Sequence, residues 1–571
     1  MQRVNLWMLL AVLLMGLGWF LANTYPPWLS AWQETAALAS AVVFSVAAWQ
    51  LTYPRFGAPS ITLSPPLAVL AVLVLISLAL QLATGVMYFL GDAVMVTAYL
   101  LAWLLAAYAG HAVARTGLHN NLDVFWIVML CSAIFSVGLA TVQWLGIEGM
   151  NIFLLDMPAG GRPFANLGQP NNFCTLCFLG CASVLYFYER GMLRGAAFWL
   201  AWCWLSFGMA LSQSRTGWLQ IAWLVAFLWW MGRRIHLQVT PRTLMGLGAV
   251  FVTWVAALPF LSDGLLIATG RTLGEQMQGG VRLQYWSSML HAIIQRPLLG
   301  YGWLQTGLAQ QLDESSAIHG GIFDFAHNIV LDILIWAGLP LGMAIAGCFL
   351  IWLLHGIFRL NSGTSTVVML ALTGILIHAL LEYPLAYAYF LIPFGFLMGV
   401  LHGLCWPGVG WIVERRVMAV IASAAAVFFL VIAGDYFVAE SAIRALRFET
   451  AKIGLQQESV VVPQLRLLTQ LQALMSHGYR DPHENLSSEE WQQTGKVSER
   501  FGLSFVMFRY ALASAFRGEN LTAQKTLEKI CRIHVESKCR HAYAQWKQWG
   551  EKYPLSIGVV TFPINSARYQ K

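Results

Sequence analysis

The chain has 571 residues, of which 58% are hydrophobic and only 11% charged, whereas soluble domains carry roughly 25% charged residues. This excludes a soluble globular protein and points to a polytopic membrane protein. The net charge of +7 resides mostly in the tail from Tyr436 to Lys571, with eighteen Lys and Arg against twelve Asp and Glu. A solvated basic face explains it better than nucleic-acid binding.

Met1-Gln2-Arg3 precedes an apolar run from Leu6 to Ala22 with no convincing small-residue cleavage site, so this run is read as a first span rather than a cleaved leader. Stretches near the 20 or so apolar residues a span requires occur in about thirteen places, near 6–22, 34–51, 65–84, 93–109, 122–145, 171–188, 196–211, 217–232, 243–261, 328–355, 366–383, 387–404 and 417–434. The fold class expected is therefore all-α, with a large polar loop at about 262–327. No lysine occurs before Lys452, and the composition changes near Asp435. The expected domains are a membrane domain 1–435 and a soluble domain 436–571.

With the N-terminus in the cytoplasm, eleven of the sixteen arginines before Asp435 fall on the cytoplasmic side, as the positive-inside bias requires. Arg162, Arg215, Arg271, Arg282 and Arg296 fall outside, against that bias. Selection for another purpose is the simplest account of them. Thirteen spans place the tail in the bacterial periplasm, with the membrane part in the inner membrane.

Cys174, Cys177 and Cys181 have a ligand-like spacing but lie in an apolar run, where core packing is the better reading. Cys531 and Cys539 lie in the tail, where an oxidising compartment would permit a disulfide. In the tail, Gln464–Met475, Ser504–Phe516 and Leu521–His534 show helical apolar spacing. A small TPR-like helical domain is compatible with this, although no clean repeat of about 34 residues is seen.

An arginine fork matches phosphate oxygens and keeps its charge at any working pH. Arg215 in Ser212-Gln213-Ser214-Arg215-Thr216-Gly217 and Arg282 in Arg282-Leu283-Gln284-Tyr285-Trp286 are the leading anion-binding candidates, with Arg162 and Arg271 beside them. The alternative for each is snorkelling, or pairing with Asp263, Glu275 or Glu382. Arg296, followed by Pro297, fits that alternative better.

His327 lies where the polar loop meets the next span, in Phe325-Ala326-His327-Asn328. An imidazole can orient or deprotonate a hydroxyl at neutral pH. Asn328 suits a helix cap, whereas Asp332, five residues on, is off the His327 face of a regular helix, and no carboxylate is evident beside the histidine. His378-Ala379-Leu380-Leu381-Glu382-Tyr383 forms a further polar cluster, with Glu382 one turn from His378 and suited to holding an arginine. The amide-rich loop from Arg162 to Asn172, with Gln169 and Asn171, suits sugar hydroxyls or phosphate oxygens. A turn with a helix cap explains Asn171 but not Gln169. The outer side shows no Walker motif, no Gly-rich nucleotide loop and no Asp-x-Asp metal pair. Nucleotides are absent from the periplasm, so a transferase there requires a lipid-linked donor.

In these residues the chain resembles the O-antigen ligase superfamily, and more closely the bacterial O-oligosaccharyltransferases that glycosylate pilins. The resemblance rests on Asn166-Leu167-Gly168-Gln169-Pro170-Asn171, on His327-Asn328 with Gly338-Leu339-Pro340, on Ser214-Arg215-Thr216-Gly217, on Arg282 with Trp286, and on His378 to Tyr387. It implies a metal- and cofactor-independent, inverting enzyme that moves a glycan from undecaprenyl diphosphate to a serine or threonine of a pilin or other periplasmic protein. His327 would be catalytic, the arginines would hold the diphosphate, and Gln169, Asn171, Asn328, Glu382 and Tyr383 would orient substrates. The nearest rivals are a ligase to lipid A core and a glycan polymerase. A flippase would need charges through the bilayer and repeated halves, neither of which is seen.

Overall fold

The computed structural model describes residues 5–52, 60–117, 119–147, 153–158, 160–267, 282–313, 320–450 and 462–562. All thirteen apolar segments fall on helices. Among the described residues nine helices are long and apolar enough to cross a membrane. The remaining four expected spans correspond to the shorter helices Leu6–Leu17, Gly195–Leu211, Arg215–Met231 and Gly363–Ala379, of 12 to 17 residues. The chain is an all-α polytopic membrane protein. Its only strands among the described residues are Ser60–Leu63 and Trp411–Glu414, paired antiparallel with Ile61 opposite Val413. Helices suit this composition because lipid offers no partner for backbone N–H and C=O groups, which must be satisfied within the segment.

The described residues fall into two compact units, one drawn from Met1–Val72, Ala98–Gln278 and Gly347–Leu430, the other from Leu73–Thr97, Gly279–Ala346 and Val431–Lys571. In the first, the helix Pro170–Glu189 is buried continuously from Asn171 to Phe187. It packs against His119–Trp144, Gly195–Leu211, Arg215–Met231 and Gly363–Ala379. Cys174, Cys177 and Cys181 are among its buried residues. In the same unit, the part of the helix Leu90–Thr116 from Ala98 onward crosses Ala388–Cys405 closely. A β-carbon at Gly110 would run into the carbonyl of Phe396, and one at Gly399 into that of Ala107.

In the second unit, the expected polar loop is itself partly helical, with Arg282–Gln295 and Thr306–Leu312. The next helix, Ile329–Phe358, is broken at Gly338, whose φ of 75° puts it in the left-handed region. The Leu339 N–H donates to the Pro297 carbonyl at 2.7 Å. The tail contributes Thr469–Tyr479, Ser488–Phe501, Ser504–Phe516, Asn520–Ile533 and Glu536–Lys552. The first of these starts later than the apolar spacing predicts, because the Leu467 and Leu468 N–H groups donate to the Asp435 carboxylate at 2.6 and 3.1 Å. Asp435 lies inside the helix Arg415–Thr450, which continues through the composition change. A buried cluster including Phe508, Leu512, Leu527, Ile530, Cys539 and Trp546 forms one tail core.

Within this unit the Arg500 guanidinium donates from Nε and Nη2 to the Asp92 carboxylate, each at 2.9 Å. The two side chains are 13% and 1% exposed. Removing one member of a buried pair strands the other charge, so Asp92→Ala should destabilise the unit by about 3–5 kcal/mol. Thermal unfolding in detergent reads this loss, and Asp92→Leu combined with Arg500→Met should recover most of it.

Candidate active site

His327 is the last loop residue but one before the helix Ile329–Phe358, and it has a φ of 55°. A non-glycine residue keeps this left-handed conformation only when its neighbours over-determine it. Here they do. The Ala326 N–H donates to the Asp332 carboxylate at 2.7 Å, and the Ala326 carbonyl accepts from the Trp286 indole at 3.0 Å. Asp332 is in turn held by the Thr306 hydroxyl at 3.2 Å, which accepts from the Trp336 indole at 2.8 Å. Asn328 caps the following helix, its Oδ1 accepting from the Val330 and Leu331 N–H groups at 3.0 and 3.2 Å. The Phe323 ring meets the imidazole edge to face, 5.7 Å between centroids.

His327 is half-buried. Desolvation, and then the charge of Arg282, pull its imidazole down to about 4. It is therefore neutral at physiological pH. Arg282 opens the helix Arg282–Gln295, one turn ahead of Trp286, so the residue that charges the site and the residue that holds its turn share one helix face.

The first unit gathers a second set of the expected residues. The buried Glu382 carboxylate accepts from Asn171 Nδ2 at 2.9 Å, and Asn171 Oδ1 accepts from the Ser214 hydroxyl at 2.7 Å. Ser214 also caps the helix Arg215–Met231, accepting from the Thr216 N–H at 3.2 Å. Arg215 is thus the first residue of a helix, where the backbone dipole already favours an anion. Arg162 Nη1 donates to the Gln213 carbonyl at 3.3 Å. One turn from Glu382, His378 Nδ1 meets the Thr175 hydroxyl at 2.9 Å, and Thr175 also accepts from Gln220 at 3.0 Å. His378 and Glu382 therefore engage Thr175 and Asn171, also four residues apart, as two rungs between two segments of the chain. Tyr383 lies near the Tyr387 ring, at 5.9 Å.

The amide-rich loop before this helix is held by side chains. Gln143 accepts from the Phe164 and Ala165 N–H groups at 3.0 and 2.8 Å and donates to the Leu155 and Ala165 carbonyls, both at 2.8 Å. Asn166 donates to the Phe20 and Phe153 carbonyls at 2.8 and 2.7 Å. Gln169 precedes Pro170 at the helix start without a side-chain capping bond.

Ten residues carry the expected site. Nine are described: Arg282, His327 and Asn328 in the second unit, and Arg162, Gln169, Asn171, Arg215, Glu382 and Tyr383 in the first. Arg271 lies outside the described residues, as does His319 of the same loop. Asp332, set aside on helical periodicity, bonds the backbone next to His327 rather than the imidazole. Periodicity does not apply across a residue with φ of 55°, and the turn brings the Asp332 carboxylate to the peptide next to His327. Thr306 and Trp336 carry no motif of their own in the sequence.

Fold and site together define a polytopic helical membrane protein with a neutral histidine fixed at the mouth of an apolar helix. Residues 197–346 match the O-antigen ligase family, and residues 367–548 match the C-terminal region of a virulence factor membrane-bound polymerase family. A general O-oligosaccharyltransferase of Acinetobacter baylyi is 28% identical over 542 residues, 92% of each chain. A ComP-specific O-oligosaccharyltransferase of the same organism is 31% identical over 327 residues, 56% of this chain and 58% of that one. The chain is thus similar to the O-antigen ligase family in its middle region and to O-oligosaccharyltransferases over most of its length.

With the imidazole held at about 4, activity that requires neutral His327 should fall only as pH drops through about 4, not through the usual 6.5. Arg282→Ala removes one of the two causes, so the acid limb should move upward. The pH profile of kcat/KM for the wild type and this variant checks both.

Proposed function

We propose that this protein is an O-oligosaccharyltransferase that moves a glycan from a lipid diphosphate, undecaprenyl diphosphate by expectation, to a serine or threonine hydroxyl of a pilin or another periplasmic protein. The observation that carries the reading is the neutral His327, locked in a strained turn with Arg282 as the nearby charge that depresses it. The relatives' activity agrees with this chemistry.

In the proposed step the acceptor oxygen attacks the anomeric carbon in line, and the bond from that carbon to the diphosphate breaks with inversion. His327 orients the hydroxyl and takes its proton. Arg282 neutralises the charge developing on the departing diphosphate, a task suited to a preorganised cation in a partly dry site. The diphosphate is a good leaving group, so modest base assistance suffices. The donor-binding role of Arg162, Arg215 and Arg271 and the orienting role of Gln169, Asn171, Asn328, Glu382 and Tyr383 are kept as part of the proposal. No metal is expected to take part.

The proposal places the protein in the inner membrane, with its N-terminus cytoplasmic and its catalytic loop and tail periplasmic. The arginine distribution supports this. So does the Cys531–Cys539 disulfide, since such bonds persist in oxidising compartments. A ligase or polymerase acting on a glycan acceptor is the second reading, favoured by the two family matches over residues 197–346 and 367–548.

Purified protein, undecaprenyl-diphosphate oligosaccharide and pilin, incubated with EDTA and without nucleotide, should yield a glycan-sized mass on a pilin serine or threonine. Transfer only onto lipid A core or onto glycan would establish the second reading instead. His327→Ala should lower transfer by about 10²–10⁴-fold in a folded, inserted protein, and Arg282→Ala should raise KM for the lipid donor more than for the acceptor. Normal turnover by His327→Ala would remove the central role given to that residue.

A further inference from the structure

We propose that Arg532, far along the tail, is a positioning residue for the transfer proposed above, because its guanidinium holds the short helix whose two ends, Thr306 and Asp313, brace the Asp332 and Trp286 supports of the His327 turn. The inference rests on that reading for its chemistry, but on contacts within the second unit for its geometry.

Arg532 donates from Nη1 to the Asp313 carbonyl at 2.9 Å and from Nη2 to the Gln311 carbonyl at 2.8 Å. These carbonyls stand at the C-terminal end of the helix Thr306–Leu312, where backbone acceptors lack helical partners. The adjoining residue contributes as well: the Ile533 carbonyl accepts from the Gly321 N–H at 2.9 Å. Gln310 of the short helix is hydrogen-bonded to the Gly321 carbonyl at 3.0 Å and the Phe323 N–H at 2.9 Å. The tail thus fixes the short helix and the segment running into the catalytic turn.

Two arms lead from the short helix to Ala326. From its first residue, the Thr306 hydroxyl holds the Asp332 carboxylate, which receives the Ala326 N–H. From its far end, the buried Asp313 carboxylate accepts from the Ser288 hydroxyl and meets His291 Nδ1 at 3.1 Å. Ser288 and His291 lie on the helix that carries Arg282 and Trp286, and Trp286 holds the Ala326 carbonyl. A shift of the short helix therefore disturbs both backbone bonds that set His327, and displaces the helix bearing Arg282.

Arg532 is itself anchored. Its neighbour Cys531 is bonded to Cys539, eight residues on, and Cys539 is fully buried in the tail core. A planar fork suits a site where two carbonyls must be held at once, whereas a lysine ammonium is a point donor. Both Nη atoms are engaged by loop carbonyls, which gives Arg532 a structural task distinct from recruiting an acceptor.

The test compares Arg532→Ala and Arg532→Lys in the full-length protein. Arg532→Ala should lower kcat by about 10–100-fold, as small misplacements of catalytic groups do, with KM for donor and acceptor unchanged, and Arg532→Lys should recover part of the loss. Hydrogen exchange should quicken at residues 321–327 while Ser504–Phe516 and Glu536–Lys552 keep their protection. Unchanged kcat and exchange in Arg532→Ala, or a rise in acceptor KM with kcat intact, would overturn the proposal. If Arg532→Ala does not fold, the lysine variant decides: reduced kcat at constant KM supports the role, and wild-type kcat removes it. If the wild type transfers no glycan to protein, the functional reading fails, while the exchange data still determine whether Arg532 holds the turn.

Discussion

The site proposed for catalysis depends on one peptide being held at both of its polar groups. Ala326 gives its N–H to Asp332 and its carbonyl to the Trp286 indole, and the next residue is thereby kept in a conformation that a histidine would otherwise avoid. The strain fixes the direction in which the imidazole leaves the backbone before any substrate arrives. Partial burial and a nearby cation then keep that imidazole in its proton-accepting form. Geometry and protonation state are thus set by the same small group of residues, which is economical in a loop with little core of its own.

The first unit solves a related problem with different means. Irregular backbone near a bilayer must find hydrogen-bond partners inside the protein, because lipid supplies none. Gln143 and Asn166 take that burden for the loop that leads to the Pro170 helix, each satisfying several peptide groups. Gln169 has no capping bond at the helix start, and Glu382 reaches into a chain of side-chain contacts through Asn171 to Ser214 beside Arg215.

Much of the architecture was legible in the sequence, since hydrophobic runs in lipid leave little choice but helix, and every apolar segment proved helical. The tail helices were legible too where apolar spacing acted alone, as in Ser504–Phe516, and less so near Leu467, where a distant carboxylate took the backbone donors. His327, Asn328 and the arginines could be picked out because each conflicts with its surroundings in charge or position. Asp332, Thr306 and Trp336 could not, because their role arises from contacts across a turn whose dihedral angle no periodicity encodes. The gathering of 73–97, 279–346 and the tail into one unit was equally hidden, as composition reports on solvent and not on long-range partners.

The grip of Arg532 on the Asp313 carbonyl joins residues 219 apart in sequence. Between them the ribosome must deliver the apolar helices Ile329–Phe358, Gly363–Ala379, Ala388–Cys405 and Arg415–Thr450. The segment carrying the histidine is therefore made long before the arginine that steadies it. Domains ordinarily fold from the N-terminus as they emerge, but here the framework around His327 lacks one of its braces until Arg532 has been synthesised. A growing chain that has not reached Arg532 carries His327, Arg282 and Asp332 but lacks this brace, so the arrangement of the proposed site is tied to synthesis of the tail.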